Sequence, residues 1–357
     1  FVHACRYEGL IMALLIIENF YDWPSSAPFS PENIGAENSV TRTTGTVHRA
    51  GTASLELNSY NDYISFPLTG SHSTLRFCLR IRKNLQSYPL ALVSFRSSSG
   101  TQLTVGISAS GHLYAALNDS TSPPVGWTAT TDAIPQDTWT YIEGRVVIHA
   151  STGAVELRVN GSETPALSLS GVDTEYYAGQ LVTSVCLGEF NGYDSFRGYV
   201  TDFCVWTEDG EAPTGWIGEC QVDTLLPTGA GSSTDFTASA GSNYQCVDEV
   251  PNNLGTDYVE SSTDGDVDLY AMADLAEEPA TIHAVAVAVS AAKTDAGSGS
   301  IKSVMKSGAT TAESDALALS NGSYLRNVYA RGVDPNTSSA WTASAVNALE
   351  AGCKAVI

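Results

Sequence analysis

Positively charged residues are scarce in this 357-residue sequence. It has 17 lysines and arginines against 39 aspartates and glutamates, and its formal net charge is -22 at pH 7. Nucleic-acid-binding proteins carry a basic patch or stripe, and anionic membranes attract clusters of lysine and arginine. We therefore expect neither nucleic acid nor membrane among the partners. Charged residues of both signs make up only 16% of the chain, below the roughly 25% of an average globular protein.

Long apolar runs are also absent. The longest is residues 10–17, whereas a membrane-spanning helix needs about 20 apolar residues. One arginine precedes this run and no small-residue cleavage site follows it, so it does not match a secretory signal peptide. We interpret it as the first buried strand of the fold.

The cysteines form neither a disulfide framework nor a zinc motif. There are seven, widely spaced, and no two are arranged as C-x-x-C. An odd number without paired spacing argues against a stapled scaffold. We expect small buried thiols in a chain made in a reducing cytoplasm.

Alternating strand patterns are what the sequence does contain. In residues 154–159, Val155, Leu157 and Val159 alternate with polar residues. A period of two with one polar face is typical of a half-buried antiparallel strand. Residues 139–148 precede it, and a glycine-containing turn joins the two runs as in a β-hairpin. We expect Trp139, which opens the first run, to be buried.

This hairpin resembles the pattern of the concanavalin A-like and laminin-G-like jelly-roll family. Three further segments resemble the family in the same order, at residues 51–67, 75–81 and 198–206. Together the likeness covers roughly residues 12–207. It implies a β-sandwich, and it implies little about function because one fold hosts many activities.

The remaining patterns predict an all-β chain of two antiparallel β-sandwich (jelly-roll) domains. Short strands separated by turn signals favour sandwiches over βαβ units. The predicted strands of the first domain are 53–57, 62–66, 75–82, 90–95, 102–107, 111–117, 139–148, 154–159, 181–188 and 198–206. In the second domain, strands are expected at 282–289, 301–306, 324–329 and 353–357. One short helix, capped by Thr342 and stopped by Gly352, is expected over 343–351.

Domain limits follow from pattern and charge. From Glu208 onward, 21 acidic residues stand against 6 basic ones, and the lectin-like pattern ends at the same place. We predict an N-terminal extension at 1–11, a first sandwich at 12–207, a linker at 208–215 and an acidic second sandwich at 216–357. Under one hypothesis residues 1–11 are an upstream extension, because the segment that resembles known proteins begins at Met12.

Two segments resemble virion structural proteins of tailed bacteriophages. Residues 12–23 (MALLIIENFYDW) resemble an opening common in such proteins, which runs into a lectin-like sandwich. The second domain resembles them at residues 226–236, 243–249 and 334–342. The resemblance implies a structural role on a phage particle, with other copies of the chain and other virion proteins as partners. Symmetric homo-oligomers are the expected form.

No catalytic constellation is recognisable. Glycan hydrolases of the concanavalin A-like class carry E-x-D-x-x-E on one strand, where two carboxylates can act as acid and nucleophile. Here Glu143 and Glu156 are isolated, and we interpret both as part of a solvated face. Glu189, Asp194 and Asp202 lack the spacing. No histidine stands at metal spacing, and no serine lies in a G-x-S-x-G elbow. We expect no enzymatic activity.

Two kinds of binding site remain as hypotheses. Asp264, Asp266 and Asp268 alternate and could offer oxygens to calcium, but the EF-hand pattern fails and a solvated acidic loop is the alternative. No other cofactor is expected. Candidate glycan-binding residues lie on polar loops with aromatic side chains: Trp127, Tyr176, Tyr177, Asn191, Tyr193 and Asp194. Packing of these aromatics on a neighbouring protein is the alternative.

The leading hypothesis is a non-enzymatic structural protein on the exterior of a tailed phage particle, as a decoration, spike or fibre component that contacts host or environmental glycans. A free carbohydrate-binding lectin is the first alternative, and a glycan-cleaving enzyme is the second. A structural protein would be found in purified particles, a free lectin would show sugar affinity alone, and an enzyme would need a catalytic carboxylate pair.

Overall fold

The computed structural model describes most of the chain and confirms the all-β, antiparallel prediction. The described residues are 2–6, 14–23, 35–37, 40–49, 52–57, 62–84, 90–117, 126–188, 197–210, 215–253 and 255–357. Within them, no helix is long and apolar enough to cross a membrane.

The strands of the N-terminal part are numbered in chain order. They are β1 (Val2–Arg6), β2 (Leu14–Glu18), β3 (Gly35–Glu37), β4 (Thr41–Thr43), β5 (Ser54–Leu57), β6 (Tyr63–His72), β7 (Thr74–Lys83), β8 (Leu90–Ser97), β9 (Gly100–Ile107), β10 (Leu113–Leu117), β11 (Gly126–Thr128), β12 (Trp139–Val147), β13 (Gly153–Val159), β14 (Leu167–Val172), β15 (Val182–Gly188) and β16 (Gly198–Trp206).

The C-terminal part adds thirteen strands and two short helical turns. They are β17 (Val222–Leu225), β18 (Pro227–Thr234), β19 (Thr237–Ala238), a 3-10 turn (Asn243–Cys246), β20 (Val259–Glu260), β21 (Val267–Met272), β22 (Ile282–Ala291), β23 (Ser300–Ser307), β24 (Thr310–Glu313), β25 (Leu317–Ala318), β26 (Leu325–Arg331), β27 (Val333–Asp334), β28 (Ser339–Ala340), α1 (Ala343–Asn347) and β29 (Glu350–Val356).

The chain divides into two compact units between Glu208 and Asp209. The first unit contains the described residues of 35–208. The second contains 209–357 together with 2–6 and 14–23. We expected residues 12–23 to open the first sandwich and 1–11 to be an extension, but the structure places their described parts, 2–6 and 14–23, in the second unit. Strand β1 lies between β17 and β22 there, paired antiparallel with each.

The first unit has two antiparallel sheets. One has the strand order β11-β10-β9-β8-β15-β6-β3, and the other has the order β14-β13-β12-β7-β16-β5-β4. The ten strands predicted here are all present, with bounds that differ by a few residues. Since both edges of β8 and β9 are paired and their residues are almost all buried, these two strands are the rigid floor on which loops of this sheet rest.

Aromatic side chains from the two sheets meet in the core of the first unit. The rings of Phe77 on β7 and Phe95 on β8 have centroids 5.5 Å apart, and those of Phe66 and Phe203 are 5.6 Å apart. Gly144 on β12 lies opposite Phe77 on β7. A Cβ on Gly144 would come within 2.2 Å of the Phe77 ring, so this position requires glycine.

The buried aromatic of the hairpin is Tyr141 and not Trp139. Tyr141 is 0% exposed and the Arg80 guanidinium lies 5.3 Å from its ring centroid. Trp139 is only partly buried, with its ring edge-on to His48 at 6.0 Å. The expectation of a buried Trp139 was therefore wrong. Trp139 and Tyr141 lie on the face of β12 opposite to Gly144 and the aromatic core, and on that face Tyr141 is covered whereas Trp139, the first residue of the strand, is only partly covered.

Two principal sheets also form the second unit. One has the order β17-β1-β22-β26 and the other β18-β21-β29-β23-β24. Strand β22 is buried along Ile282–Ala288, as its alternation of valine with small residues predicted. The six cysteines with described side chains are buried, in agreement with the prediction of small buried thiols.

The C-terminal helix is shorter than predicted. Thr342 caps it by accepting a hydrogen bond from the Ala345 backbone N–H at 3.1 Å, as expected. The helix ends at Asn347 and not at 351, because β29 begins at Glu350 and pairs with both β21 and β23. Gly352 is a strand residue there, where a Cβ would collide with the Asp268 carbonyl.

A buried ion cluster attaches the segment 14–23 to the rest of the second unit. The Arg326 guanidinium contacts Asp22 Oδ2 at 2.5 Å and Glu18 Oε1 at 3.2 Å, and all three side chains are at most 5% exposed. The Trp23 indole N–H donates to Glu18 Oε2 at 2.9 Å. Burial raises the pKa of Glu18 to about 7; Arg326 opposes this shift, and Asp22 adds to it.

We expect Arg326→Met to destabilise the second unit by about 3–5 kcal/mol, because it leaves two buried carboxylates without their cation. Urea unfolding at pH 7, followed by tryptophan fluorescence, measures this change. The matched control is Arg158→Met. Arg158 pairs with Glu156 on a partly exposed face, so its loss should cost about 0–1 kcal/mol. Equal effects of the two substitutions would contradict the role assigned to Arg326.

Candidate functional site

The connection between β14 and β15 presents two adjacent tyrosines. Tyr176 is 48% exposed, and Tyr177 is partly buried. Their rings meet edge to face, with centroids 4.9 Å apart, an arrangement that aromatic pairs favour. Tyr176 is therefore supported by a second ring while much of its own surface stays open to solvent. We call residues 173–181 the tyrosine loop.

Gln102 on β9 holds the tyrosine loop in place. Its side-chain amide donates to the Tyr177 carbonyl at 2.9 Å and to the Gln180 carbonyl at 2.6 Å. Its side-chain oxygen accepts from the Tyr177 backbone N–H at 2.6 Å. The Gln102 side chain is fully buried, so these bonds have no competition from water. A loop ordered in advance loses less entropy when a ligand binds.

Gly100 allows Tyr177 to pack against the turn between β8 and β9. Its φ is +141°, and a Cβ at this position would lie 2.8 Å from the Tyr177 hydroxyl oxygen. A hydrogen bond also joins the same turn to the tyrosine loop: the Gln180 side-chain amide donates to Ser99 Oγ at 2.6 Å. Turn and loop thus form one rigid surface.

Sequence reasoning identified Tyr176 and Tyr177 but missed Gln102 and Gly100. The contact between Gln102 and the loop spans 75 residues, and no local pattern reports such a pairing. A glutamine within an otherwise apolar and β-branched strand was the available signal, because a buried amide needs partners.

Of the other four glycan candidates, the structure describes Trp127 alone. Trp127 lies on β11, the edge strand of the same sheet, opposite Ala115, and is partly buried. Asn191, Tyr193 and Asp194 lie outside the described residues. The structure therefore brings together two of the six candidates, Tyr176 and Tyr177.

The three candidate calcium ligands have different surroundings. Asp264 is exposed, and its carboxylate accepts from the Ile357 backbone N–H at 3.0 Å. Asp266 accepts from the Ser261 hydroxyl at 2.6 Å. In the part of the chain that the structure describes, no group of three histidine, cysteine or acidic side chains is placed to hold a metal. The calcium site stays a prediction.

Asp268 points into the second unit, where it organises a loop. Its carboxylate accepts from the Asn243 amide at 2.7 Å, the Tyr270 hydroxyl at 2.7 Å and the Phe236 backbone N–H at 3.4 Å. Burial raises the pKa of Asp268, and these hydrogen bonds oppose that shift. The segments 226–236 and 243–249, noted above for their resemblance, are joined here. Their polar residues have a structural role.

Two of the acidic residues considered for catalysis, Asp202 and Glu156, pair with arginines, and so does Glu208. Asp202 is 1% exposed and bonds Arg80 at 3.2 Å. Glu208 bonds Arg145 at 2.6 Å, and this hydrogen bond lowers the pKa of Glu208. Glu143 is 1% exposed, so the expectation that it is solvated was wrong; it lies opposite Cys78 and Arg158 within the sheet. Glu189 and Asp194 lie outside the described residues.

Sequence comparison finds no relatives: no family model matches the chain, and no curated protein matches it. Among solved structures, domain 4 of AbnA, a GH43 extracellular arabinanase from Geobacillus stearothermophilus in complex with arabinotriose, is 15% identical, with a TM-score of 0.38. That match covers 57% of this chain and 96% of the other.

Two further solved structures are similar to a comparable extent. The heptameric SAP-like pentraxin from Limulus polyphemus is 17% identical over 47% of this chain and 88% of its own, with a TM-score of 0.32. The CBM40 of the Ruminococcus gnavus IT-sialidase, bound to alpha2,3 sialyllactose, is 13% identical over 44% and 90%, also with a TM-score of 0.32. At such TM-scores these likenesses carry no argument, and the fold assignment depends on the strand pairing described above.

We expect Asp268→Asn to lower the stability of the second unit by about 1–3 kcal/mol, because an amide cannot accept all three hydrogen bonds and buried donors lose their partner. Asp264→Asn is the control and should change stability by less than about 0.5 kcal/mol. Thermal unfolding measures both.

The same melts, repeated with a calcium chelator, test the calcium hypothesis. Calcium binding by these aspartates requires the wild-type melting temperature to fall on chelation, and requires that sensitivity to vanish when all three aspartates become asparagine.

Proposed function

We propose that this chain is a non-enzymatic structural protein on the exterior of a tailed phage particle and that its first unit contacts glycans through the tyrosine loop. The observation that carries the glycan contact is the exposed ring of Tyr176 on a loop fixed by Gln102. A tyrosine offers a flat apolar body with a polar tip, which suits a ring that is apolar on its faces and hydroxylated at its edge.

The surroundings of the loop supply polar partners for such a ligand. Ser98, Ser99 and Gln180 form a hydrogen-bonded group beside the tyrosines. These side chains are neutral, so a sugar can replace water at them without the cost of desolvating an unpaired ion. The loop also carries Asp173 and Glu175, which repel anionic sugars, so a neutral glycan is the ligand that we assign to this surface.

The non-enzymatic part of the proposal is supported by the state of the carboxylates. Glycoside hydrolysis needs one carboxylic acid with a raised pKa beside a carboxylate at a defined separation. In the first unit, the pKa of Glu208 is lowered by its hydrogen bond with Arg145, and Asp202 is buried against Arg80. Both carboxylates serve as structural anions.

The location on a phage particle is supported by the resemblance at residues 12–23 and in the second unit, and by composition. Few charged side chains and much serine, threonine and glycine leave a surface that can meet neighbouring subunits with little desolvation of ions. The excess of negative charge keeps particles apart and repels nucleic acid. The free lectin is the alternative with the same site but no particle.

Glycan contact predicts that Tyr176→Ala weakens binding to the best ligand of a glycan array by about tenfold, which is about 1.4 kcal/mol. Tyr176→Phe is the matched control and should retain most of the affinity, because it keeps the ring. Gln102→Ala should also weaken binding, since the loop is no longer ordered in advance. Equal affinities of wild type and Tyr176→Ala would contradict this site.

Particle membership predicts that mass spectrometry of gradient-purified virions finds this chain in stoichiometric copies. A chain abundant in the lysate and missing from intact particles would overturn the structural role and favour the free lectin.

A further inference from the structure

The second unit contains a cleft between its two principal sheets. Its volume is about 750 Å³, within the usual range of small-molecule sites. Strands β21, β22, β23 and β29 supply the floor. The connections before β21, between β22 and β23, and between β25 and β26 supply the rims. All the lining residues belong to the second unit.

The floor of this cleft is apolar. Met272, Val287, Ile301 and Cys353 contribute to it from four different strands. These side chains are at most 6% exposed, so only a narrow strip of each is open. Such a floor favours the apolar body of a ligand, because binding removes the apolar surface of the floor and that of the ligand from water.

Two tyrosines stand on the rims. Tyr258 is 42% exposed, and its backbone is fixed by exchange of hydrogen bonds with Ser239 at 2.9 and 3.0 Å. Tyr324 lines the same cleft, and burial raises its pKa, with a further contribution from Tyr258. Gly255 makes room for Tyr324, since a Cβ would lie 2.5 Å from its hydroxyl oxygen.

The rims are strongly negative. Six carboxylates line the cleft: Asp235, Glu249, Asp257, Glu260, Asp266 and Asp295. Lys293 is the one cationic side chain among the lining residues, and its ammonium donates to the Gly297 carbonyl. Burial raises the pKa of Glu249, with further contributions from Asp248 and Asp257. The walls therefore repel anions and gain from a positive charge.

From this geometry we propose that the cleft binds an organic cation: a ligand with an apolar body that carries an ammonium group. The apolar body lies on the floor between the sheets. The ammonium lies at the rim, where the faces of Tyr258 and Tyr324 attract cations and the carboxylates of Asp257 and Glu260 supply charge complementarity. Lipid phosphates, sialylated sugars and nucleic acids are excluded by the same field.

The test uses three probes of equal shape and different charge: 2-phenylethylammonium, 2-phenylethanol and phenylacetate. The full-length protein is labelled at its methionine methyl groups. Met272 lines the cleft, whereas Met305 lies in the core of the same unit and does not line it. A titration that moves the Met272 signal and leaves the Met305 signal in place locates binding in the cleft.

We expect the ammonium to bind with a Kd of about 1 mM or tighter, about fivefold or more tightly than the alcohol, and phenylacetate not to bind. Added salt should weaken the ammonium alone, because screening reduces the attraction between charges at the open rim. Equal affinity for the alcohol, or no shift of Met272 at about 20 mM ammonium, would overturn the proposal.

Variants separate the two parts of the site. Asp257→Asn with Glu260→Gln should weaken the ammonium about threefold or more and leave the alcohol unchanged, as loss of charge alone requires. Tyr258→Leu should weaken the ammonium as well. Glu163→Gln, at an exposed carboxylate of the first unit outside the tyrosine loop, is the control and should have no effect. An unchanged affinity in the double variant would contradict the assignment.

Tyr176→Ala should leave ammonium binding intact, because the tyrosine loop belongs to the other unit. Failure of the glycan site and failure of the cleft are thereby distinguishable.

Discussion

The Arg326 guanidinium is buried together with two carboxylates, and it compensates the negative charge of both. Asp22 and Glu18 each contact its guanidinium, and the Trp23 indole completes the shell around Glu18. Loss of the cation from such a cluster is far more costly than loss of an exposed pair. The segment 14–23 is held by this cluster and also by Asn19, whose side-chain amide donates to the Val222 carbonyl at 2.9 Å. The second unit is thus assembled from both ends of the sequence.

A unit assembled in this way has different packing from the first unit. In the first, aromatic rings from both sheets meet directly, as Phe77 does with Phe95, and polar side chains such as Gln102 are buried only to fix a loop. In the second, the residues on strand β22 alternate between valine and alanine, which fill less space between sheets. The cleft over Val287 and Met272 is the consequence, and its rims carry the carboxylates that make the C-terminal part of the sequence so acidic.

Periodicity predicted most strands within a few residues, because alternation reports which face of a strand is buried. It could not predict which unit a strand joins. The apolar run 10–17 forms a strand where it is described, from Leu14 onward, yet the Glu18 and Asp22 side chains that follow it pair with Arg326, about 300 positions away in the chain. The same limit applies to Asp268, which sequence spacing suggested as a metal ligand and which the structure places among Asn243, Tyr270 and Phe236. Trp139 and Tyr141 lie on the same strand and on the same face of it. Which of the two rings is buried depends on the residues that pack on that face, and these are distant in the sequence.

The two candidate sites differ in the charge they accept, and this difference follows from how each is built. The tyrosine loop combines neutral hydroxyl and amide groups with two carboxylates, Asp173 and Glu175, so the charge of a ligand matters less there than in the cleft. The cleft has six carboxylates and one lysine whose ammonium is already bonded, so the sign of the ligand dominates there. The proposed location on a particle surface would expose the chain to both neutral sugars and cationic groups. Two units with unlike electrostatics can bind these classes separately, because a ligand suited to one gains little from the other.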